Sequence, residues 1–135
     1  MIPATPFRIQ IDARSGVPFY RQIIDQVLSA IASGVLAAGD QLPTVRQLAV
    51  DLSVNPNTVV RAYRELEIRG ILTTQQGSGT FIAPGQEVSA SDVERQRRRS
   101  QLVSEFVARA GGEGFSVREV IEMLKEMFPE AEKGN

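Results

Sequence analysis

The stretch TVRQLAVDLSVNPNTVVRAYRELEIRG, Thr44 to Gly70, holds two helix starts in quick succession. Thr44 with Gln47 fits a reciprocal capping box, and Val45, Leu48, Ala49 and Leu52 then supply the apolar stripe of a helix of about two turns. Asn55 before Pro56 marks the second start, because Asn accepts from the first free backbone N–H groups and Pro is tolerated where its missing N–H costs nothing. From there Val59, Ala62, Tyr63 and Leu66 fall at steps of three and four and line one face. Only SVN connects the two helices, with Val54 available to pack inside the turn, and this predicts a helix-turn-helix. Asn57, Thr58, Arg61 and Arg64 or Glu65 are left pointing elsewhere. That other face needs a partner or water.

Upstream, FRIQID from Phe7 to Asp12 alternates apolar and polar residues and predicts a short strand. Pro18 opens a helix in which Tyr20, Ile23, Ile24, Val27, Leu28 and Ile31 keep the helical period, with Gly34 as its stop. GDQLP is extended and turn-rich. Downstream, ILTTQ is a β-branched strand, QGSG a turn in which Gly77 and Gly79 take positive φ, and TFIA a second strand, together a hairpin. Three helices followed by a hairpin are the winged form of the helix-turn-helix. From Pro84, PGQEVSASD has the composition of a linker.

Ser91 with Glu94 and Ser116 with Glu119 repeat the capping-box pattern and start two further helices, separated by GGEG. Leu102, Val103, Phe106, Val107 and Ala110 ride on the first, and Val117, Val120, Ile121, Leu124, Met127 and Phe128 on the second. Two helices of this size cannot shield both stripes alone, so they pack on a second copy or on the winged domain. The expected architecture is mainly α with a small β-hairpin. A winged helix-turn-helix domain occupies residues 1–83, a linker 84–90 and a two-helix dimerisation tail 91–135.

Composition narrows the chemistry. The 135 residues, 42% hydrophobic, hold one compact domain and a small appendage. There is no Cys and no His, which removes disulfides, thiol chemistry, the commonest metal ligand and the commonest general base. No metal, no cofactor and no enzymatic activity are expected. The uncharged stretch from Val27 to Gly39 falls well short of the ~20 residues of a membrane span, and no basic and then apolar leader follows Met1. A soluble, cytoplasmic protein without a membrane partner is expected. Net charge is -1; residues 1–83 hold 7 Arg or Lys against 6 Asp or Glu, and residues 84–135 hold 8 against 10. Any affinity for nucleic acid must therefore come from placed Arg side chains, backbone N–H groups and helix dipoles.

GDQLPTVRQLAVDLSVNPNTVVRAYRELEIRGILTTQQGSGTFI resembles the DNA-binding domain of the GntR transcription regulators, with the similarity running from about Pro18 to Ile82. The short helical tail is similar to the YtrA-like subfamily, which implies dimerisation through the tail and no large effector-binding domain. NPNTVVRAYRELE is also close to the MocR-like regulators, but their aminotransferase-like domain has no room in this chain. The resemblance implies double-stranded DNA as the partner, with control of neighbouring transporter genes and autoregulation. It places Arg46, in PTVRQLA after Thr44, where many members reach DNA from the second helix. In the wider family the recognition helix often begins with Ser-Arg or Thr-Arg and bears another Arg one turn later; those two places hold Pro56 and Val60 here, so base reading falls to Asn55, Asn57, Thr58 and Arg61. Gly77 matches the wing glycine whose backbone approaches the minor groove, with Gln76, Ser78 and Gly79 beside it.

The residue chemistry suits such a role. The amide fork of Asn matches adenine N6 and N7, Arg matches guanine O6 and N7, and Thr serves a phosphate or a thymine methyl. The N-terminus of the second helix would add free N–H groups and positive dipole toward phosphate. Each site residue also has a plainer reading. Asn55 as a cap alone would use up its side chain, and Arg46 would be neutralised by an ion pair to Asp51 or Glu65. Arg64 and Arg69 are phosphate contacts or solvated charges, and Tyr63 belongs to the core. ERQRRRS, Glu94 to Ser100, is a solvated face or a contact to flanking phosphates. Phe115, Met127 and Phe128 are packing, or they line a pocket for a small-molecule effector that the sequence does not identify. The leading expectation is a sequence-specific homodimeric repressor on an inverted-repeat operator. The alternative is a winged-helix protein-protein interaction module without specific DNA binding.

Overall fold

The computed structural model describes residues 7–85, 91–129 and 131, which fall into two units divided after Gly85. In the first unit, helix α1 (Phe19–Ala32) and helix α2 (Val45–Leu52) both pack on helix α3 (Pro56–Ile68). The fully apolar face foreseen for α3 is the centre of this core: Val59, Ala62, Tyr63 and Leu66 are all buried. Ile23, Ile24 and Val27 of α1 and Leu48 and Ala49 of α2 close over it. Val54 packs against the same cluster from inside the turn.

Strands β2 (Leu72–Gln75) and β3 (Gly79–Ile82) form the antiparallel hairpin, in register Leu72 to Ile82. A third strand, β1 (Gln41–Leu42), pairs antiparallel with β3, giving the order β1-β3-β2. GDQLP is thus partly a strand, one too short to carry a pattern. Gln41 Nε2 donates to Ser78 O at 3.0 Å, tying β1 to the wing turn. Gly79 is favoured there by its φ of 126°, a backbone conformation that residues with a Cβ rarely adopt; a Cβ would also push aside the end of the Gln41 side chain.

Phe7 to Asp12 is extended but is no strand, which corrects the expectation from its alternation. Its backbone pairs with side-chain amides of α1. Gln10 N donates to Gln26 Oε1 at 3.0 Å while Gln26 Nε2 donates to Gln10 O at 2.7 Å. Asp12 N donates to Gln22 Oε1 at 2.8 Å, and Gln22 Nε2 donates to Asp12 O at 2.9 Å. Residues two apart on an extended chain thus meet residues four apart on one helix face, so two glutamines stand in for a neighbouring strand. Gln22 is buried at 8% exposure, and these bonds, with others to Ser15 Oγ and Val17 O, satisfy it.

The turn between α2 and α3 has a defined hydrogen-bond signature. Val54 N donates to Ala49 O at 3.0 Å and Ser53 N to Val50 O at 3.2 Å, the 6→1 and 5→2 pattern of a Schellman end. The same pair of bonds ends α3, with Gly70 at the left-handed position, where Ile71 N meets Leu66 O. In the helix-turn-helix that position is Ser53, with φ 55°, the one non-glycine residue of positive φ among the described residues.

The second unit holds helix α4 (Asp92–Gly112) and helix α5 (Val117–Met127). Ser91 accepts from Glu94 N, and Ser116 with Glu119 makes the full reciprocal box. Gly111 and Gly112 continue α4 rather than break it; Gly114 makes the stop, in a third Schellman end with Phe115 N on Ala110 O. Neither helix contains a buried residue. Leu102, Val103, Phe106, Val117, Ile121, Leu124 and Met127 are exposed, and Val107, Val120 and Phe128 are half-buried. A groove of about 520 Å³ runs between the two helices, lined by Phe106, Phe115, Val120, Leu124 and Met127 among others. Of residues 84–90 only Pro84 and Gly85 lie within the described residues, so most of the expected linker lies outside them.

Candidate nucleic-acid interface

Asn55, Asn57, Thr58 and Arg61 come together with Pro18, Phe19 and Tyr20 around an open cleft of about 670 Å³, where the N-terminal ends of α1 and α3 meet. Packing of α1 on α3 sets that meeting, and Tyr63 fixes the approach of α2. The Tyr63 hydroxyl donates to Pro43 O at 2.6 Å, from the buried centre of α3 to the residue just ahead of the α2 cap. Burial pushes the Tyr63 phenol well above its usual range, so it stays a neutral donor.

The two helix ends differ in what their backbone offers. Asn55 Oδ1 accepts from Asn57 N at 2.8 Å, Thr58 N donates to Asn55 O at 2.9 Å, and Pro56 has no N–H. The first turn of α3 therefore has no free donors, which corrects the expectation of N–H groups pointing at phosphate from this helix. The uncapped end is that of α1. Pro18 makes no side-chain cap, and the amides of Phe19, Tyr20 and Arg21 have no partner among the described residues. The dipole of α3 remains positive at the cleft, but any reading there falls to side chains.

Asn55 thus acts as a cap, and its acceptor is engaged; the two-pronged contact to adenine needs both ends of the amide. Asn57 is exposed and Thr58 half-buried, without side-chain hydrogen bonds among the described residues. Arg61 is exposed, and its Cζ stands 3.8 Å from the centroid of the Tyr20 ring, a cation-π contact that the sequence did not reveal. Arg46 is exposed on α2 and pairs with neither Asp51 nor Glu65; Glu65 instead binds Arg69 Nη2 at 3.0 Å. Arg64 is exposed farther along α3. Thr44 caps α2, accepting from Gln47 N at 3.0 Å, which leaves its hydroxyl proton free to donate. Gln76, Gly77 and Ser78 are exposed at the wing tip, with the Ser78 carbonyl held by Gln41 Nε2 and Gly79 half-buried beside it.

Among the described residues no group of acidic side chains could hold a metal, and no helix is long and apolar enough to cross a membrane. Residues 19–82 match the bacterial regulatory proteins of the gntR family. The transcriptional repressor YtrA of Bacillus subtilis (strain 168) is 36% identical over 93% of this chain and 96% of its own length. The chain belongs to the GntR family. Its fold is that of GntR winged-helix regulators: YtrA from Sulfolobus acidocaldarius, a GntR-family transcription factor, superposes with a TM-score of 0.54 at 34% identity over 73% of this chain and 96% of that one. The DNA-binding domain of AraR, in a complex with operator ORX1, superposes with a TM-score of 0.50 at 27% identity over 55% of this chain and 94% of that one. Families of this kind regulate transcription and are not enzymes, so this GntR protein is a DNA-binding, YtrA-like transcription regulator.

Proposed function

We propose that this regulator is a cytoplasmic homodimeric repressor that binds an inverted-repeat operator, with one winged unit on each half-site. The observation that carries this reading is the cleft at the head of α3, where Asn57, Thr58 and Arg61 stand with their polar edges unused by the protein. In it Asn57 and Arg61 read base edges, Thr58 meets a phosphate or a thymine methyl, and Arg46, Thr44 and Arg64 hold the backbone. Gln76, Gly77, Ser78 and Gly79 bring the wing to the neighbouring minor groove. Asn55 supports this set as a cap. The Bacillus relative is named a repressor and the AraR domain is bound to an operator, and both support the same role.

Dimerisation rests on the tail. One winged unit buries roughly 600 to 1,000 Å² on DNA, too little for tight specific binding, whereas a two-fold pairing of tails covers both apolar stripes and joins two units. Leu102, Val103, Phe106, Val107, Val117, Val120, Ile121, Leu124, Met127 and Phe128 form that contact. Control of neighbouring transporter genes and of its own operon follows from the resemblance to the YtrA-like subfamily, and a small-molecule effector is left unassigned.

Selection of bound fragments from a random DNA pool by the purified protein, with sedimentation of the free protein, tests the proposal. An inverted repeat with half-site centres ~10 bp apart and a dimer at micromolar concentration are expected. Arg46→Ala should weaken operator binding by about 1 to 3 kcal/mol with the fold intact, and Asn57→Ala should relax preference at one or two base pairs. Recovery of no common sequence, with binding that ignores salt, would favour the protein-interaction alternative.

A further inference from the structure

We propose that Tyr20, on α1, is a positioning residue for Arg61, holding its guanidinium flat so that its N–H edges face the operator. The proposal rests on the assignment of Arg61 to base reading. Arg61 begins with a disadvantage for that task, because a long, freely rotating side chain must be ordered before two N–H groups can meet one guanine. A carboxylate would order it but would take up the same N–H edges. Glu65, one turn on and the natural candidate, is bound to Arg69 instead. The Arg61 guanidinium lies over the face of the Tyr20 ring, with Cζ 3.8 Å from the ring centroid, and the Arg61 side chain makes no hydrogen bond or ion pair among the described residues. Stacking restrains the plane and leaves the donors unused. Tyr20 is itself half-buried and packed against the core, so the platform is fixed. Sequence preference at the base read from α3 therefore depends on a residue of α1 whose own contact with DNA is not required.

The test uses the full chain and the operator recovered by selection, substituted at one base pair at a time. Arg61→Ala should flatten preference at one or two base pairs. Tyr20→Leu, which keeps an apolar contact with the core, should lower discrimination at those same base pairs about two- to five-fold, the range of an exposed cation-π contact. Tyr20→Phe should behave as wild type, and Tyr20→Leu combined with Arg61→Ala should be no worse than Arg61→Ala alone. In the free protein the Arg61 side-chain N–H resonance should be shifted by the ring, lose that shift in Tyr20→Leu and keep it in Tyr20→Phe. A Tyr20→Leu protein that weakens on every sequence equally, adds its loss to that of Arg61→Ala, or retains full discrimination overturns the positioning role. An Arg61→Ala protein with unchanged base preference removes Arg61 from base reading and overturns both assignments together.

Discussion

Val59 and Phe106 both belong to apolar stripes at helical spacing, yet Val59 is 0% exposed and Phe106 is 54% exposed. The difference between the winged unit and the tail is not one of local coding. Both have capped helices, and α5 carries the full capping box that no helix of the winged unit shows. Caps and periodicity set where a helix starts and which side is apolar, whereas burial requires a second surface. In the winged unit α1 and α2 supply it for α3; in the tail α4 and α5 offer each other a groove and leave most of both stripes uncovered.

The sharpest test of that contrast is a matched pair of truncations. Leu66→Ala, at a position of 0% exposure, should cost the winged unit about 2 to 5 kcal/mol in denaturant unfolding. Leu124→Ala, at 47% exposure, should leave that unit's midpoint within about 0.5 kcal/mol and shift the monomer-dimer balance instead. Equal losses of stability from both would erase the distinction. Next in size, a chain ending at Gly85 should stay folded and monomeric but bind the full operator at least ~100-fold more weakly, because the second half-site loses its effective concentration. Operator titrations of the two lengths decide this, and equal affinity would assign the tail to another partner.

A smaller effect probes how the winged unit holds its own geometry. Tyr63→Phe leaves Pro43 O without its buried donor and should lower stability by about 1 to 2 kcal/mol. Wild type should also weaken as pH rises above about 10, because the unfolded phenol ionises there while the buried one, with its raised pKa, does not. That component is fully present below pH ~10 and should be missing in Tyr63→Phe. Smallest is Ser53→Gly, which relieves the left-handed backbone of the helix-turn-helix and should shift stability by no more than about 1 kcal/mol, seen as a small rise in Tm. A large fall in Tm would mean that the Ser53 side chain holds the turn by something other than its backbone.

These results bear on what the chain discloses before it folds. The inner face of α3 was legible to the residue, because Val59, Ala62, Tyr63 and Leu66 obey one period that starts from a clear cap. The wing was legible through Gly77 and Gly79. Phe7 to Asp12 misled because its alternation is real, with Ile9 buried and Ile11 half-buried, while its hydrogen-bond partner is a helix rather than a strand. Strand β1 has only two residues, too few for any period. At the candidate interface the residue types were visible, but the engagement of Asn55 as a cap and the seat of Arg61 on Tyr20 depend on geometry. Tyr20 lies a whole helix and a turn motif away from Arg61 in the chain, and its place on an apolar stripe marked it as packing.

The glutamine clamp on the N-terminal segment has a kinetic signature of its own. The amide protons of Gln10 and Asp12 are each held by a side chain of α1, while the Ile11 amide between them has no partner among the described residues. Exchange with deuterium should therefore alternate, slow at 10 and 12 and fast at 11, as in an edge strand although no strand is present. Because both locks sit on one helix, on either side of the buried Ile23 and Ile24, opening of the first turns of α1 would release them together, and the segment reports the lifting of α1 from the core of α3.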